Sequence, residues 1–375
     1  MTTRSLRARF EVIARPGRDR SIDVLRALAI TGVVLGHWLV TAFVVTGSGL
    51  RVASPLTYLP GLTPISWLFQ TLAIFFFVGG FAAARGLPAA SSYREWLLAR
   101  MGRLLRPVLA FLAFWAVVAV VWMPAVGPES ARTVRVIVLS PLWFVVVYAG
   151  LIALTPLVWN RPGRVVVPLV AAVAVVDVAR FGLGGPSWLG WVNVATAWLV
   201  PFCLGVACAR GARLPAVGLL LGGIVATAAL VHWCDYPASL VGVPGQGRSN
   251  LNPPTLIAVS FGLAQVGLAL LLRGPLTRLA RRPLVWAVVA GTNLSAMRIF
   301  LWHQTALVAV TLFALGSAPL PGLHTAPDTW WWILARLRWL PVFAAVLLGG
   351  LWLGTRIGAG RRPRKGRSVP LRPAA

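Results

Sequence analysis

The chain alternates between long apolar runs and short polar segments. A transmembrane α-helix needs about 20 consecutive, mainly apolar residues, and ten runs reach or approach this length. They extend approximately over residues 22–45, 65–84, 105–123, 136–156, 165–178, 189–209, 214–233, 255–272, 294–315 and 331–354. This pattern predicts an all-α, polytopic membrane protein with about ten transmembrane helices, of which the fifth is short.

The composition supports a membrane location. Of the 375 residues, 58% are hydrophobic and 11% are charged, and the mean hydropathy is +0.81. A soluble protein carries about 25% charged residues, so this chain has too few to cover the surface of a soluble globule. Intrinsic disorder is also excluded, because it requires low hydrophobicity.

The net charge of +27 is concentrated between the apolar runs. If the N-terminus is cytoplasmic, the inner segments hold 26 basic residues and the outer segments hold 5. Because cytoplasmic loops are enriched in Lys and Arg, both termini are predicted to be cytoplasmic. Every basic residue except Lys365 is arginine, which indicates a GC-rich bacterial genome. The expected location of this multi-pass protein is the plasma membrane, the inner membrane of a bacterium.

Both ends of the chain are basic. Residues 1–20 are predicted to be a cytoplasmic N-terminal segment, residues 21–356 a membrane domain, and residues 357–375 a disordered cytoplasmic tail. The basic run Arg361–Arg367 is expected to contact anionic lipid head groups rather than nucleic acid.

Ionisable side chains inside a membrane span are costly and are functional candidates by default. Asp23, Arg26 and His37 share one face of the first predicted helix, because they are three and eleven residues apart and a helix turns by about 100° per residue. Interfacial anchoring is the alternative for Asp23 and Arg26. A hydrogen-bonded structural role is the alternative for His37.

The ninth predicted helix carries a second polar group, Ser295, Arg298 and His303. Histidine is suited to proton transfer near neutral pH, but it can also hold helices together. Arg298 could snorkel to the interface or face a ligand anion, and the sequence does not separate the two.

Other polar positions carry weaker signals. Asp177 lies in the fifth predicted helix, and the sequence identifies no partner for it. His232 and His324 lie at or beyond outer helix ends and are interpreted as surface residues. The three cysteines have neither a disulfide framework nor metal-ligand spacing, so no metal site is predicted.

A basic stripe precedes the third predicted helix. Arg100, Arg103 and Arg106 are spaced three residues apart, so they lie along one side of a helix. Arginine forks bind phosphates well. Topogenic charge with lipid contact is the alternative.

Several of these segments form a series when they are taken in chain order. Arg26 and His37 are separated by ten residues, residues 75–81 read FFFVGGF, and Arg103–Pro107 contains two arginines three apart. The series resembles the opening signature, the second-helix motif and the arginine-x-x-arginine element of the acyltransferase 3 family of integral-membrane acyltransferases.

Two later segments extend the resemblance over residues 20 to 355. Leu142–Phe144, which includes Trp143, resembles the mid-chain motif of the family, and Ser295–His303 resembles its late motif. The late motif usually contains a tyrosine where this chain has Phe300 or a neighbouring residue.

The resemblance implies an O-acyltransferase that moves a short acyl group, commonly acetyl, from cytoplasmic acyl-CoA to a hydroxyl. The acceptor would be a sugar, a glycolipid, a polymer of the cell envelope or a secondary metabolite. His37 would be the general base or would form an acyl-histidine intermediate. Asp23 would hold Arg26 near the donor, and the basic stripe would bind the CoA phosphates.

A transporter or translocator without acyl chemistry is the competing interpretation. In it, the polar residues inside the spans would line a path across the membrane. Secondary transporters often contain internal repeats and broken helices at corresponding positions, and the sequence indicates neither. Substrate-dependent release of free CoA thiol distinguishes the two classes.

Overall fold

The computed structural model describes residues 18–243, 247–316 and 319–360. Nearly all regular structure in this part of the chain is helical. The helices are α1 (Arg20–Val40), α2 (Pro55–Tyr58), α3 (Thr63–Ser66), α4 (Leu72–Gly86), α5 (Tyr93–Val121), α6 (Pro128–Leu139), α7 (Leu142–Ala153), α8 (Thr155–Trp159), α9 (Pro162–Asp177), α10 (Gly190–Ala209), α11 (Ala216–Trp233), α12 (Leu256–Leu271), α13 (Arg273–Leu279), α14 (Pro283–Phe313) and α15 (Trp330–Gly360). Strands β1 (Ala42–Thr46) and β2 (Gly49–Ala53) form one antiparallel hairpin.

In the described part of the chain, nine helical segments are long and apolar enough to cross a membrane. A tenth span results if the bent pair α12 and α13, which meet at 55°, is counted as one. The predicted all-α, polytopic membrane fold is confirmed. Residues 1–17 and the basic run Arg361–Arg367 lie outside the described residues.

The centre of the bundle is a close contact between α4 and α10. A Cβ atom at Gly80 would collide with the carbonyl oxygen of Phe202, and one at Gly205 would collide with that of Phe77. Small residues allow such close approach of helices in membranes, where packing rather than the hydrophobic effect drives association. The two glycines therefore set the distance between these helices.

Replacing Gly205 with alanine is expected to destabilise the protein. The added methyl group has no space, and overpacking a tight contact costs about 1–3 kcal/mol. The measurement is the thermal unfolding midpoint of the detergent-solubilised protein. Gly150→Ala is the matched control, because Gly150 is a helical glycine with open space around it; an equal midpoint for both variants would contradict the prediction.

The first predicted span is too long by five residues. α1 ends at Val40, and residues 42–46 form β1 instead of continuing the helix. β-Branched and aromatic residues favour strands, and the turn at Gly47 and Ser48 lets the chain fold back so that Ala42 pairs with Ala53.

Three other spans also differ from their predicted form. The second is broken, with α3 and a 3₁₀ turn at Trp67–Phe69 ahead of α4. The fourth is divided at Pro141 into α6 and α7, because proline cannot donate a helical hydrogen bond. The fifth is longer than predicted, since a π-helical turn at Val178–Gly182 extends α9.

Candidate active site

His37 and His303 lie in direct contact. His37 is in α1, His303 is in α14, and His37 Nδ1 is 2.7 Å from His303 Nε2. The two imidazole rings are stacked, with centroids 5.0 Å apart and planes at 22°. The neighbouring Trp38 donates a hydrogen bond from Nε1 to the backbone oxygen of His303 at 3.0 Å. The two helices thus hold the histidines as a pair.

The hydrogen bonds of His303 determine where its proton lies. His303 Nδ1 is 2.6 Å from the carbonyl oxygen of Phe300, and a carbonyl only accepts, so Nδ1 carries the proton. In a neutral imidazole the other nitrogen is then an acceptor. His303 Nε2 therefore accepts from His37 Nδ1, which leaves the lone pair on His37 Nε2 available as a base.

A narrow cavity of ≈ 40 Å³ lies against His37. His37 is partly exposed to it, whereas His303 lies behind His37 and is fully buried. The described residues that line this histidine cavity are Val33, Gly36, His37, Phe69, Gln70, Leu72, Pro141, Trp143, Phe144 and Phe300. A volume of this order holds about one water molecule.

An aromatic column connects the histidine pair to the inner half of the bundle. Tyr148 stacks on Phe144 with centroids 5.7 Å apart, Phe144 packs on Phe300 at 4.8 Å, and Phe300 packs on His303 at 5.9 Å. At its far end, Tyr148 is within electrostatic reach of Arg100. The column thus joins a basic region to the histidines.

The basic region contains Arg26, Arg100 and Arg103, since the first and last lie within electrostatic reach of Arg100. Arg100 donates to the backbone oxygen of Ala82 at 2.5 Å and lies over the ring of Trp96 at 4.9 Å. The buried Arg100 Nε and Trp96 Nε1 have no hydrogen-bond partner among the described residues. Because these arginine cations repel one another and the two buried donors lack acceptors, this region favours the binding of an anion.

Asp23 pairs with two arginines at the start of α1. Arg18 donates to both of its carboxylate oxygens, and Arg26 Nη1 lies 3.6 Å from Oδ1. The predicted contact between Asp23 and Arg26 is present, but Arg18 is the closer partner. Asn293 Nδ2 donates to the Asp23 backbone oxygen at 2.9 Å, so this charge network also joins α1 to α14.

Asp19, just before α1, caps the helix. Its carboxylate accepts hydrogen bonds from the backbone of Ser21 and Ile22 and pairs with Arg273. Burial raises the pKa of the Asp19 carboxyl, but the hydrogen bonds from Ser21 and Arg273 outweigh it and hold the pKa below its usual value.

The chain matches the family model of an acyltransferase domain, that of the acyltransferase 3 family, over residues 19–355. The protein belongs to the acyltransferase 3 family. No curated protein and no solved structure matches the chain. The protein is therefore a membrane acyltransferase, with an acyl donor and a hydroxyl acceptor, and the family predicted from its motifs is confirmed.

The other predicted site residues of this acyltransferase lie at different distances from the histidines. Trp143 lines the histidine cavity. Arg106 is exposed on α5, on the same helix as Arg100. Ser295 and Arg298 are partly buried on α14, one to two turns before His303, and neither is among the described residues that line the cavity.

Arg336 is a residue of the acyltransferase to which the sequence analysis gave no role. It is fully buried in α15 and donates to the carbonyl oxygens of Trp38, Thr41 and Gly322. Its guanidinium also lies 4.8 Å from the ring centre of Phe343. An arginine inside a predicted span was a signal that could have found it.

The interpretation of His324 as a surface residue is wrong. Its side chain is 2% exposed, donates from Nε2 to the Thr311 backbone oxygen at 2.8 Å, and accepts from the Leu320 N–H. The segment before α15 folds back onto the bundle, and its backbone also accepts a hydrogen bond from Val45 in β1. His232, in contrast, is exposed as predicted.

Asp177 has the partners that the sequence did not identify. Its carboxylate accepts hydrogen bonds from Asn193 Nδ2 at 3.0 Å, the Tyr236 hydroxyl at 2.9 Å and the Leu256 N–H at 2.7 Å. Burial and the nearby Asp177 charge raise the pKa of Tyr236, which keeps the hydroxyl protonated and donating. Asp177 thus fixes the loop after α11 to the bundle.

In the part of the chain that the structure describes, no group of three or more His, Cys, Asp or Glu side chains is placed so that it could hold a metal ion. The three cysteines are free thiols, and Cys203 is buried, Cys208 partly buried and Cys234 exposed.

Proposed function

We propose that the protein is an acyl-CoA-dependent O-acyltransferase in which His37 is the general base and His303 orients it. The contact between His37 and His303, with the proton of His303 fixed toward Phe300 O, is the observation that carries the proposal. A base held by a second group in the correct tautomer is the arrangement used by the Ser-His-Asp triad, here with a histidine in the orienting position.

In the proposed reaction, the acceptor hydroxyl oxygen attacks the carbonyl carbon of the thioester. His37 Nε2 takes the hydroxyl proton as the C–O bond forms. The C–S bond then breaks, the thiolate leaves with the electron pair and accepts the proton from His37, and the products are an ester and free CoA thiol. In the variant with an acyl-histidine intermediate, Nε2 attacks the thioester carbon first and the CoA thiolate leaves. The acceptor hydroxyl then attacks the acyl-imidazole, the C–N bond breaks, and the hydroxyl proton passes to the thiolate, so the products are the same.

The donor would enter from the basic region. CoA is polyanionic, and the excess positive charge of Arg26, Arg100 and Arg103 suits its phosphates. The unsatisfied donors Arg100 Nε and Trp96 Nε1 would gain an acceptor there. From this region the extended pantetheine arm would follow the aromatic column to the histidine pair, and acetyl is the acyl group that we expect.

Replacing Arg103 with glutamine is expected to raise the KM for acetyl-CoA with little change in kcat. A hydrogen bond to a charged group contributes about 1.5–3 kcal/mol, which corresponds to roughly a 10- to 100-fold change in KM. Arg94→Gln is the matched control, since Arg94 is also exposed on α5. Equal KM values for the two variants would place the phosphates elsewhere.

The function is tested with radiolabelled acetyl-CoA supplied to membranes with and without the protein. Label is expected in a lipid, polymer or soluble hydroxyl compound only when the protein is present, together with release of free CoA thiol. The fraction that carries the label identifies the acceptor class among sugars, glycolipids, envelope polymers and secondary metabolites. If neither label nor thiol appears with a series of acyl-CoAs and a native extract, the proposal is wrong.

A further inference from the structure

A large cavity opens on the face that the arginine distribution places outside the cell. It has a volume of ≈ 1070 Å³ and lies between residues 56–67 and residues 231–239, with 247–248 at one edge. We call it the outer vestibule. Its apolar wall includes Pro64, Trp67 and Tyr236, and its charged rim includes Asp235 and Arg248.

Hydrogen bonds hold the walls of the outer vestibule in place. Trp67 Nε1 donates to the Ala238 backbone oxygen at 2.9 Å, which joins the two sides. Asn250 Nδ2 donates to the backbone oxygens of Pro237 and Ser239 at 2.7 and 2.9 Å. The Asp177 carboxylate accepts a hydrogen bond from the Tyr236 hydroxyl at 2.9 Å and so fixes a further wall. The vestibule is therefore built by specific polar contacts.

The outer vestibule and the histidine cavity are lined by neighbouring residues of the break in the second span. Trp67 lines the vestibule, whereas Phe69 and Gln70 line the histidine cavity. The break lies close against α1, because a Cβ at Gly36 would be only 2.9 Å from Phe69 Cβ. Gly36 directly precedes His37, so the break lies beside the proposed base.

The break is also unusual for a membrane span. Non-helical backbone at membrane depth occurs only where it is buried in protein or lines a water-filled cavity. The Gln70 backbone oxygen, which has no helical donor, accepts from Gln265 Nε2. The Gln265 Oε1 atom is buried without a partner among the described residues. A buried polar contact therefore lies at Gln70, a residue that lines the histidine cavity.

We propose that the outer vestibule admits the acceptor from the extracytoplasmic side, and that residues 67–70 form the partition through which it reaches His37. The assignment rests on the proposed function, since His37 must be the base. It gives the donor and the acceptor separate routes, with the donor on the basic inner side and the acceptor on the outer side.

The lining indicates the chemistry of the acceptor. Pro64, Trp67 and Tyr236 offer apolar and aromatic surface, and Asp235 and Arg248, whose charged atoms are 3.9 Å apart, offer acceptors and donors at the rim. Pockets that bind small molecules combine such apolar walls with a few polar groups. The acceptor class that fits is an amphipathic alcohol, with hydroxyl groups beside an apolar ring or chain.

The route is tested by chemical access, which needs neither activity nor a known acceptor. In a full-length variant whose three cysteines are replaced by alanine, Gln70→Cys introduces a thiol into the histidine cavity. A membrane-impermeant methanethiosulfonate reagent is then added outside sealed, right-side-out vesicles. Cysteine is smaller than glutamine, so the substitution itself widens the narrow cavity, and the thiol is expected to be modified from the outside. Absence of modification, with the thiol reactive after the protein is unfolded, would overturn the proposal.

A bulky residue in the vestibule should close the route. Gly61 lines the vestibule with open space at its Cβ position, so Gly61→Trp is expected to slow the modification by narrowing the vestibule. Gly47→Trp is the matched control, because Gly47 has the same open space in the β1–β2 turn. An equal effect of both variants would contradict the route.

Two further arms separate the parts of the proposal. His37→Ala removes a side chain that lines the histidine cavity, so the thiol is expected to stay accessible from the outside at an equal or higher rate, and failure of the catalytic assignment would not remove the route. Octane-1,2-diol is expected to slow the modification of the Gln70→Cys thiol more than propane-1,2-diol at equal concentration. In the control variant Gly47→Cys, the reagent should modify the thiol at the same rate in the presence of either diol. Equal protection by the two diols would overturn the assignment to an amphipathic acceptor.

Discussion

Replacing His37 with alanine is expected to lower acyl transfer by at least about 100-fold, since a positioned general base contributes about 10²- to 10⁴-fold. The loss would be larger if the histidine also carries the acyl group. The measurement is transfer of label from radiolabelled acetyl-CoA in membranes with matched protein levels. The variant leaves the buried His303 Nε2 without its hydrogen-bond donor, so a modest decrease of the unfolding midpoint is also expected, and transfer is compared at equal amounts of folded protein.

The contact between the two histidines predicts two losses of acyl transfer of different size, a large one when His37 is replaced and a smaller one when His303 is replaced. His303→Leu removes the group that fixes the tautomer of His37 but leaves the base itself, so a smaller decrease is expected. His232→Ala is the control, because His232 is exposed at the end of α11. Full transfer by His37→Ala with normal folding would refute the assignment, and normal transfer by His303→Leu would remove His303 from it.

The predicted fold follows from hydropathy because apolar length is a direct requirement of the bilayer. The details that were wrong concern segments where apolar residues do not continue a helix. Residues 42–46 are apolar enough for a span, yet form β1 because they pair with β2. The second span is broken where the chain packs closely on α1, since Phe69 lies against Gly36 and Thr71 lies against Gly32.

Part of the candidate site could be predicted and part could not. His37 and His303 were identified separately, because an ionisable group in a span is costly. Their contact could not be predicted, because periodicity within α1 and within α14 gives no distance between the helices. The same limit explains why Arg18 was missed as the partner of Asp23, and why Asp177 had no identified partner in Tyr236.

Replacing Arg336 with methionine is expected to cause the largest loss of stability. Arg336 is fully buried and donates to three backbone oxygens, two of them at the C-terminal end of α1. Helix ends leave carbonyl groups unpaired, and each buried polar group that loses its partner costs about 1–3 kcal/mol. The variant is expected to unfold at a much lower temperature or not to accumulate as folded protein.

Arg336→Lys keeps this prediction testable if the methionine variant does not fold. Lysine keeps the charge, but its compact ammonium group lacks the planar fork of arginine, so it cannot reach the same three carbonyl oxygens, and an intermediate midpoint is expected. Arg338→Met is the matched control, because Arg338 is exposed two residues further along α15. The measurement is the unfolding midpoint and the yield of monodisperse protein. If Arg336→Met unfolded at the same temperature as Arg338→Met, Arg336 would not be the residue that holds the C-terminal end of α1, the helix that carries His37.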